Sequence, residues 1–106
     1  MSLRVENYPR AESDLEQQYD WYLEHADLEI AERYLKAFDA SVATLAVHPG
    51  MGRPRKFRAP TLASLRSYPV KHPFDKHFIF YRANSTTLSI VRVIHGARDL
   101  PGRLAE

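Results

Sequence analysis

Hydrophobic and polar positions alternate at the start of the chain and then change to helical spacing. Leu3 and Val5 alternate with polar residues, which predicts a short strand over residues 3–8 that ends at Pro9. Over residues 11–26 the apolar positions lie three and four apart, so they form one stripe along a helix. The stripe consists of Ala11, Leu15, Tyr19, Tyr22, Leu23 and Ala26.

A second helix is predicted directly after the first. Asp27 is placed to cap it, and it ends at His48 because the proline that follows disfavours helical geometry there. Ser13 and Glu16 match a capping box for the first helix. Since the link between the helices is short, we expect an antiparallel hairpin. The apolar stripe of the second helix is Ile30, Ala31, Tyr34, Leu35, Phe38, Val42 and Leu45.

The second half of the chain predicts a loop and three strands. Residues 49–63 hold three prolines and two glycines, which is typical of a loop. The strands cover residues 65–71, 76–83 and 88–95, and their short turns favour an antiparallel meander. Pro69 cannot donate a ladder hydrogen bond, so the first of these strands should lie at an edge or contain a bulge.

These elements predict an α+β fold with the order β-α-α-β-β-β in a single domain over residues 1–106. A helical hairpin packed on one face of a small, mostly antiparallel sheet would bury both apolar stripes. The N-terminal strand is expected to lie beside the last strand. The length of 106 residues, with 44% hydrophobic and 26% charged residues, agrees with one globular domain.

Charge is divided unevenly along the chain. Residues 1–50 carry four Lys/Arg and ten Asp/Glu, a net charge of −6, whereas residues 51–106 carry eleven and three, a net charge of +8. This asymmetry predicts an anionic partner for the second half, although acidic helices packed beside a basic sheet would produce the same division. The loop at 49–63 has two interpretations. It is either a basic arm that contacts phosphate groups or an acidic partner protein, or it is a solvated connector. Its basic residues are Arg53, Arg55, Lys56 and Arg58.

Several classes of chemistry have no support in the composition. The chain has no cysteine, which excludes disulfides and cysteine-ligated zinc. The opening residues MSLRVENYPR lack an apolar signal core, and no stretch approaches the roughly 18 apolar residues of a membrane span. The histidines form no HxxxH pair on one helical face. We therefore expect a soluble cytoplasmic protein with no membrane partner, bound metal or cofactor.

The stretch SIVRVIHGARDL, residues 89–100, starts as a buried strand and ends in charge and imidazole. RNA cleavage without a metal needs an acid, a base and cations that bind phosphate. His95 could be the acid or base, and Tyr81 could stack on a nucleobase. The guanidiniums available to hold phosphate are those of Arg66, Arg82, Arg92 and Arg98.

Strand parity argues against that arrangement. Arg82 follows Tyr81 directly, and Arg92 lies three residues before His95, so regular strands place each pair on opposite faces. The alternative interpretation is that His95 ends a strand, Gly96 turns the chain with a positive φ, and the arginines serve an anionic partner. His72 and His77 flank a turn and are expected at the surface.

Taken together, several segments resemble the RelE/ParE superfamily, the toxins of type II toxin–antitoxin pairs, and its ParE-like branch in particular. The resemblance covers most of the chain. Its segments are AESDLEQQYDWYLEHA, AERYLKAFDASVATLAVHPGMGRP, HFIFYRA and, above all, IVRVIHGARDL.

The resemblance implies a cytoplasmic bacterial toxin that a cognate antitoxin neutralises with an acidic C-terminal segment, in a hetero-oligomer. ParE-like members are associated with inhibition of DNA gyrase, and RelE-like members cut messenger RNA on the ribosome. A third hypothesis for this chain is a toxin-like fold that is no longer toxic and is retained for its antitoxin complex or for transcriptional autoregulation. The shared fold does not choose between these activities. Cations expected to bind the partner are Arg53, Arg55, Lys56, Arg58, Arg66, Arg92 and Arg98.

Overall fold

The structure is a computed structural model and describes residues 2–96. Its main elements are two long helices and five strands. In chain order they are β1 (Arg4–Asn7), α1 (Pro9–His25), α2 (Leu28–Val47), β2 (Arg53–Pro54), β3 (Arg66–Pro69), β4 (His77–Ala83) and β5 (Thr87–His95). Two short 3-10 helices, Pro49–Met51 and Pro60–Leu62, lie between α2 and β3.

The strands form one sheet in the order β1-β5-β4-β3-β2. β1 runs parallel to β5, with Val5 opposite Leu88, and every other neighbouring pair is antiparallel. The predicted α+β class, the meander and the position of the N-terminal strand beside the last strand are therefore confirmed. The predicted element order lacked β2, a two-residue strand within the segment that was expected to be only a loop.

The helix termini follow the sequence in one case and depart from it in the other. Asp27 caps α2, and its Oδ1 accepts a hydrogen bond from the Ile30 amide at 2.8 Å. α1 instead begins at Pro9, with Tyr8 at the cap position and no side-chain cap. The capping box at Ser13 was wrong because proline, which has no amide hydrogen to satisfy, already starts the helix four residues earlier.

Both helices pack on the same face of the sheet. Tyr34 and Leu45 of α2 are fully buried there against Ile79 of β4 and Leu88 of β5. Burial of each large aliphatic side chain contributes about 1.5–3 kcal/mol, so this layer is the main source of stability. No helix within residues 2–96 is long and apolar enough to cross a membrane.

The segment between α2 and β3 covers the opposite face of the sheet. Leu62 and Leu65 are buried against Phe80 and Ile94, and Phe57 packs beside them. β2 pairs only with Arg66 and Ser67 of β3. Pro69 therefore faces no strand on that side, which confirms the prediction that its strand lies at an edge there.

Candidate functional site

Tyr81 is a structural clamp in the interior of the molecule. It is fully buried, donates a hydrogen bond from its hydroxyl to the Pro49 carbonyl at 2.7 Å, and accepts one from the Gly52 amide at 2.8 Å. Burial raises the pKa of the phenol. A side chain held in this way presents no face to a nucleobase, so the structure does not place Tyr81 where the stacking hypothesis needs it.

Arg66 and Arg82 bind backbone carbonyls of the same segment. Arg66 Nη1 donates to the Gly52 carbonyl at 2.8 Å. Arg82 Nε donates to the Ala63 carbonyl at 2.9 Å, and its Nη2 donates to the Thr61 carbonyl. Both guanidiniums therefore hold the segment after α2 against the sheet, Arg66 at Gly52 and Arg82 at Thr61 and Ala63.

Arg92 lies in the interior and forms an ion pair with α1. Its Nε and Nη2 donate to the two carboxylate oxygens of Asp14 at 2.7 and 3.0 Å, and the side chains are 9% and 13% exposed. Such a two-point pair neutralises the guanidinium within the fold. Arg92 is therefore a buried cation that is already paired, which disfavours the hypothesis that it contacts an anionic partner.

The same part of α1 forms hydrogen bonds with backbone groups of β5 that have no neighbouring strand. β1 accompanies β5 only as far as Ile90, which leaves the backbone of Val93 without a strand on that side. Asp14 accepts from the Val93 amide at 3.0 Å, and Gln18 donates to the Val93 carbonyl at 2.8 Å. Because Asp14 and Gln18 are four residues apart, they lie on one face of the helix and satisfy both backbone groups.

Three cations of the segment after α2 are exposed, namely Arg53, Lys56 and Arg58, and we call them the basic loop cluster. Within residues 2–96 none of them forms an ion pair. Arg55 is half-buried, and its Nη1 lies 3.5 Å from the Ser67 hydroxyl. Of the predicted cations, the basic loop cluster is the part most open to an anionic partner. Arg98 lies outside the described residues.

His77 is buried, and the prediction that it lies at the surface was wrong. It begins β4 on the face that Ile79 and Tyr81 share, and is only 4% exposed. Its Nε2 is 2.9 Å from the Tyr22 hydroxyl. Burial, followed by the positive charge of a protonated His95, lowers its pKa to about 4. Strand alternation could have identified this position, since it is two residues before Ile79.

His95 is exposed at the end of β5, and its ring meets the His77 ring edge to face with centroids 4.8 Å apart. Gly96 follows with a φ of 82°, which confirms the predicted positive φ at this position. The two imidazoles lie beside a pocket of about 320 Å³, with Trp21 and Tyr22 of α1 on its other side. Gln17 and Gln18 complete the lining.

The predicted catalytic candidates therefore fall into three groups, and the structure brings together only Arg66 and Tyr81 among those it describes, both of which contact Gly52. Tyr81, Arg66 and Arg82 contact the segment after α2, Arg92 contacts α1, and His95 contacts His77. In the described part of the chain no group of three or more His, Cys, Asp or Glu side chains is arranged to hold a metal ion.

The arrangement of a helical hairpin on one face of this sheet is that of known toxin folds. The structure is similar to one of a chromosomal ParDE toxin–antitoxin system from P. aeruginosa, with a TM-score of 0.72, 18% identity, and coverage of 91% of this chain and 98% of that one. It is also similar to one of the RelBE2 toxin–antitoxin complex from Mycobacterium tuberculosis, with a TM-score of 0.57, 22% identity, and coverage of 90% and 99%.

Sequence comparison identifies the family. The chain is 29% identical over 95 residues to Toxin ParE1 of Caulobacter vibrioides, which covers 90% of this chain and 91% of that protein. Residues 5–100 match the family described as the ParE toxin of the type II toxin–antitoxin system parDE. The chain belongs to this family and is a toxin component of a type II toxin–antitoxin system.

Proposed function

We propose that this toxin acts by binding DNA gyrase and inhibiting it, rather than by cutting RNA. The observation that carries the proposal is that most of the candidate nuclease groups form hydrogen bonds or ion pairs inside the fold. The Tyr81 hydroxyl and the Arg82 guanidinium bind backbone carbonyls, and Arg92 is paired with Asp14. Cleavage of RNA requires such groups to converge on one phosphate. Inhibition of gyrase is the activity that the ParE-like resemblance implies.

We also propose that a cognate antitoxin neutralises the toxin in the cytoplasm by placing an acidic segment on the basic loop cluster. Arg53, Lys56 and Arg58 are exposed on one short segment. The second half of the chain has a net charge of +8, which attracts an acidic segment. In support, the structures from P. aeruginosa and M. tuberculosis are described as a toxin–antitoxin system and a toxin–antitoxin complex. No cofactor is needed for either contact.

A supercoiling assay with purified toxin and gyrase tests the target. We expect supercoiling to fall in a saturable way as toxin is added, and to recover when the antitoxin from the adjacent reading frame is added. Full gyrase activity at saturating toxin would reject the proposal.

Expression in cells distinguishes inhibition of gyrase from the two alternatives, which are RNA cleavage and the absence of toxicity. Primer extension on messenger RNA during growth arrest would reveal codon-linked cuts if the chain were a ribosome-dependent endoribonuclease. Substitution of His95 by alanine provides the matched variant: under our proposal the cells still arrest growth, whereas an RNA-cleaving toxin that uses this imidazole would lose activity by about 100-fold or more. Unimpaired growth on expression of the unaltered chain would indicate a relative that is not toxic.

A further inference from the structure

Helix α1 carries a row of exposed carboxylates along its length. They are Glu12, Glu16, Asp20 and Glu24, and we call them the acidic row. Each lies four residues from the next, and like charges at this spacing destabilise a helix. Within residues 2–96 none of the four forms an ion pair. A charge arrangement that opposes helix stability is a reason to look for a partner.

The pocket beside His95 adjoins this row. Gln17 and Trp21 line it, and Asp20 and Glu24 follow them by three residues, a spacing that makes neighbours on a helix surface. Trp21 is 54% exposed although it is the largest apolar side chain in the molecule. Its indole is stacked on the His25 ring, with centroids 4.3 Å apart and planes 13° from parallel. The indole is therefore held in place while a large part of it remains open to solvent.

His77 supplies an independent sign that the pocket takes a ligand. The Nε2 of this 96%-buried residue is engaged with Tyr22, but Nδ1 has no hydrogen-bond partner among the described residues. A buried polar atom without a partner costs about 1–3 kcal/mol. His77 and His95 both line the pocket, and their rings are in edge contact.

We propose that this pocket and the acidic row form a docking surface for a partner protein segment in which an aromatic side chain with a hydrogen-bonding group is flanked by Lys or Arg. A volume of about 320 Å³ is at the lower end for ligand sites, which suits one aromatic side chain. The rings of Trp21, Tyr22 and His95 provide faces and edges for it. The flanking cations of the segment would lie against Asp20 and Glu24.

The charges distinguish this partner from two others. A nucleic acid would bring phosphates against the acidic row, and an acidic antitoxin segment would bring carboxylates, so both are repelled here. The docking surface combines α1 with His77 of β4 and His95 of β5, whereas the basic loop cluster is between α2 and β3. The inference therefore goes beyond the proposed function and does not depend on it.

The experiment is a titration of the full chain with a short synthetic peptide that has a central tyrosine flanked by lysines. Trp21 is the single tryptophan of the sequence, so its fluorescence reports directly on the pocket. We expect a saturable change in Trp21 emission, with a dissociation constant that rises with salt as surface charges are screened. A peptide with alanine in place of tyrosine should bind at least about fivefold more weakly, as expected for loss of a buried anchor.

Variants of the toxin complete the test, with binding measured by anisotropy of a labelled peptide. His95→Ala and the double variant Asp20→Asn/Glu24→Gln should each weaken binding by about fivefold or more. The matched control, Glu29→Gln/Glu32→Gln, removes two exposed carboxylates from α2 and should leave binding unchanged. Circular dichroism verifies that each variant is folded.

Three results would overturn the proposal. One is equal binding to the α1 variant and the α2 control. Another is the absence of saturable binding at low salt. The third is preferential binding of an acidic peptide or a single-stranded oligonucleotide to the Trp21 pocket, which would assign the surface to a different class of partner.

Discussion

At the scale of single residues, His77 shows how burial turns an ordinary side chain into a determinant of stability. Its ring contacts Tyr22 and Tyr34 on the helix side and His95 on the strand side, and desolvation keeps it neutral. Its pKa falls from the usual 6.5 to about 4. Between these two values the unfolded chain binds more protons than the folded chain, so the free energy of unfolding must decrease as the pH falls.

We therefore expect the contribution of His77 to be fully present above about pH 6.5 and to be lost towards pH 4. The loss amounts to about 3 kcal/mol, because each pKa unit corresponds to about 1.4 kcal/mol. Urea unfolding at several pH values should give a shallower pH dependence for His77→Phe than for the unaltered chain. The control is His72→Gln, since His72 is 87% exposed. The same slope in His77→Phe and in the unaltered chain would refute the assignment.

Gly52 is the second residue whose identity is set by its surroundings. A Cβ at this position would lie 2.6 Å from Cε1 of Tyr81, a fully buried ring that is fixed by hydrogen bonds to Pro49 and Gly52. Gly52→Ala should therefore displace the ring and lower the free energy of unfolding by about 1–3 kcal/mol. Gly50→Ala is the matched control, because nothing lies within 4 Å of its added Cβ. Chemical denaturation measures both, and equal effects would contradict the clamp.

At the scale of elements, the contact of α1 with β5 depends on a charge that is far away in sequence. Asp14 and Arg92 are 78 residues apart, and the carboxylate also accepts from the Val93 amide. One side chain therefore joins the helix to both the side chain and the backbone of the strand. Its removal leaves a buried guanidinium without this carboxylate and a backbone donor without this acceptor.

Asp14→Ala should lower the free energy of unfolding by about 3–5 kcal/mol, as is usual when one member of a buried pair is deleted. The double variant Asp14→Ala/Arg92→Met should recover part of that loss, because no buried charge is then left unmatched. Glu16→Ala, an exposed position on the same helix, should change stability by less than about 0.5 kcal/mol. Additive effects of the two substitutions in a double-mutant cycle would show that the pair is not coupled.

The elements also show which features are readable from sequence. Both helices were predictable because each has an apolar stripe that repeats over several turns, and the last three strands because their apolar runs end at clear turns. β2 has two residues, too few for any period to be visible. The Asp14–Arg92 pair and the Tyr81 clamp depend on tertiary contacts, so the residue types predicted charge and hydroxyl chemistry but not the partners that neutralise them.

At the scale of the whole molecule, the two halves of the chain place opposite charges on different surfaces. Asp14–Arg92 is the buried ion pair that joins them, while the acidic row and the basic loop cluster remain exposed. If the charges of one half simply neutralised those of the other, the acidic row and the basic loop cluster would be in contact. Their separation in the described residues favours two external partners of opposite charge.

This separation predicts how the antitoxin should respond to substitution. The triple variant of the basic loop cluster, Arg53→Ser/Lys56→Ser/Arg58→Ser, should bind the antitoxin from the adjacent reading frame at least about tenfold more weakly at low salt, mainly through slower association. The difference should shrink as salt is added, because exposed charges are screened beyond about 10 Å at 0.1 M. Surface plasmon resonance gives both rate constants.

The control removes the same charge elsewhere, at three exposed cations outside the cluster: Arg33, Lys71 and Lys76. If net charge alone governed the encounter, the control and the cluster variant would slow association equally, and the location proposed for the acidic segment would be wrong. If the cluster is the contact, only its variant loses affinity. Because β2 pairs with β3 through its backbone, the serine side chains leave the sheet intact and the comparison reports on charge.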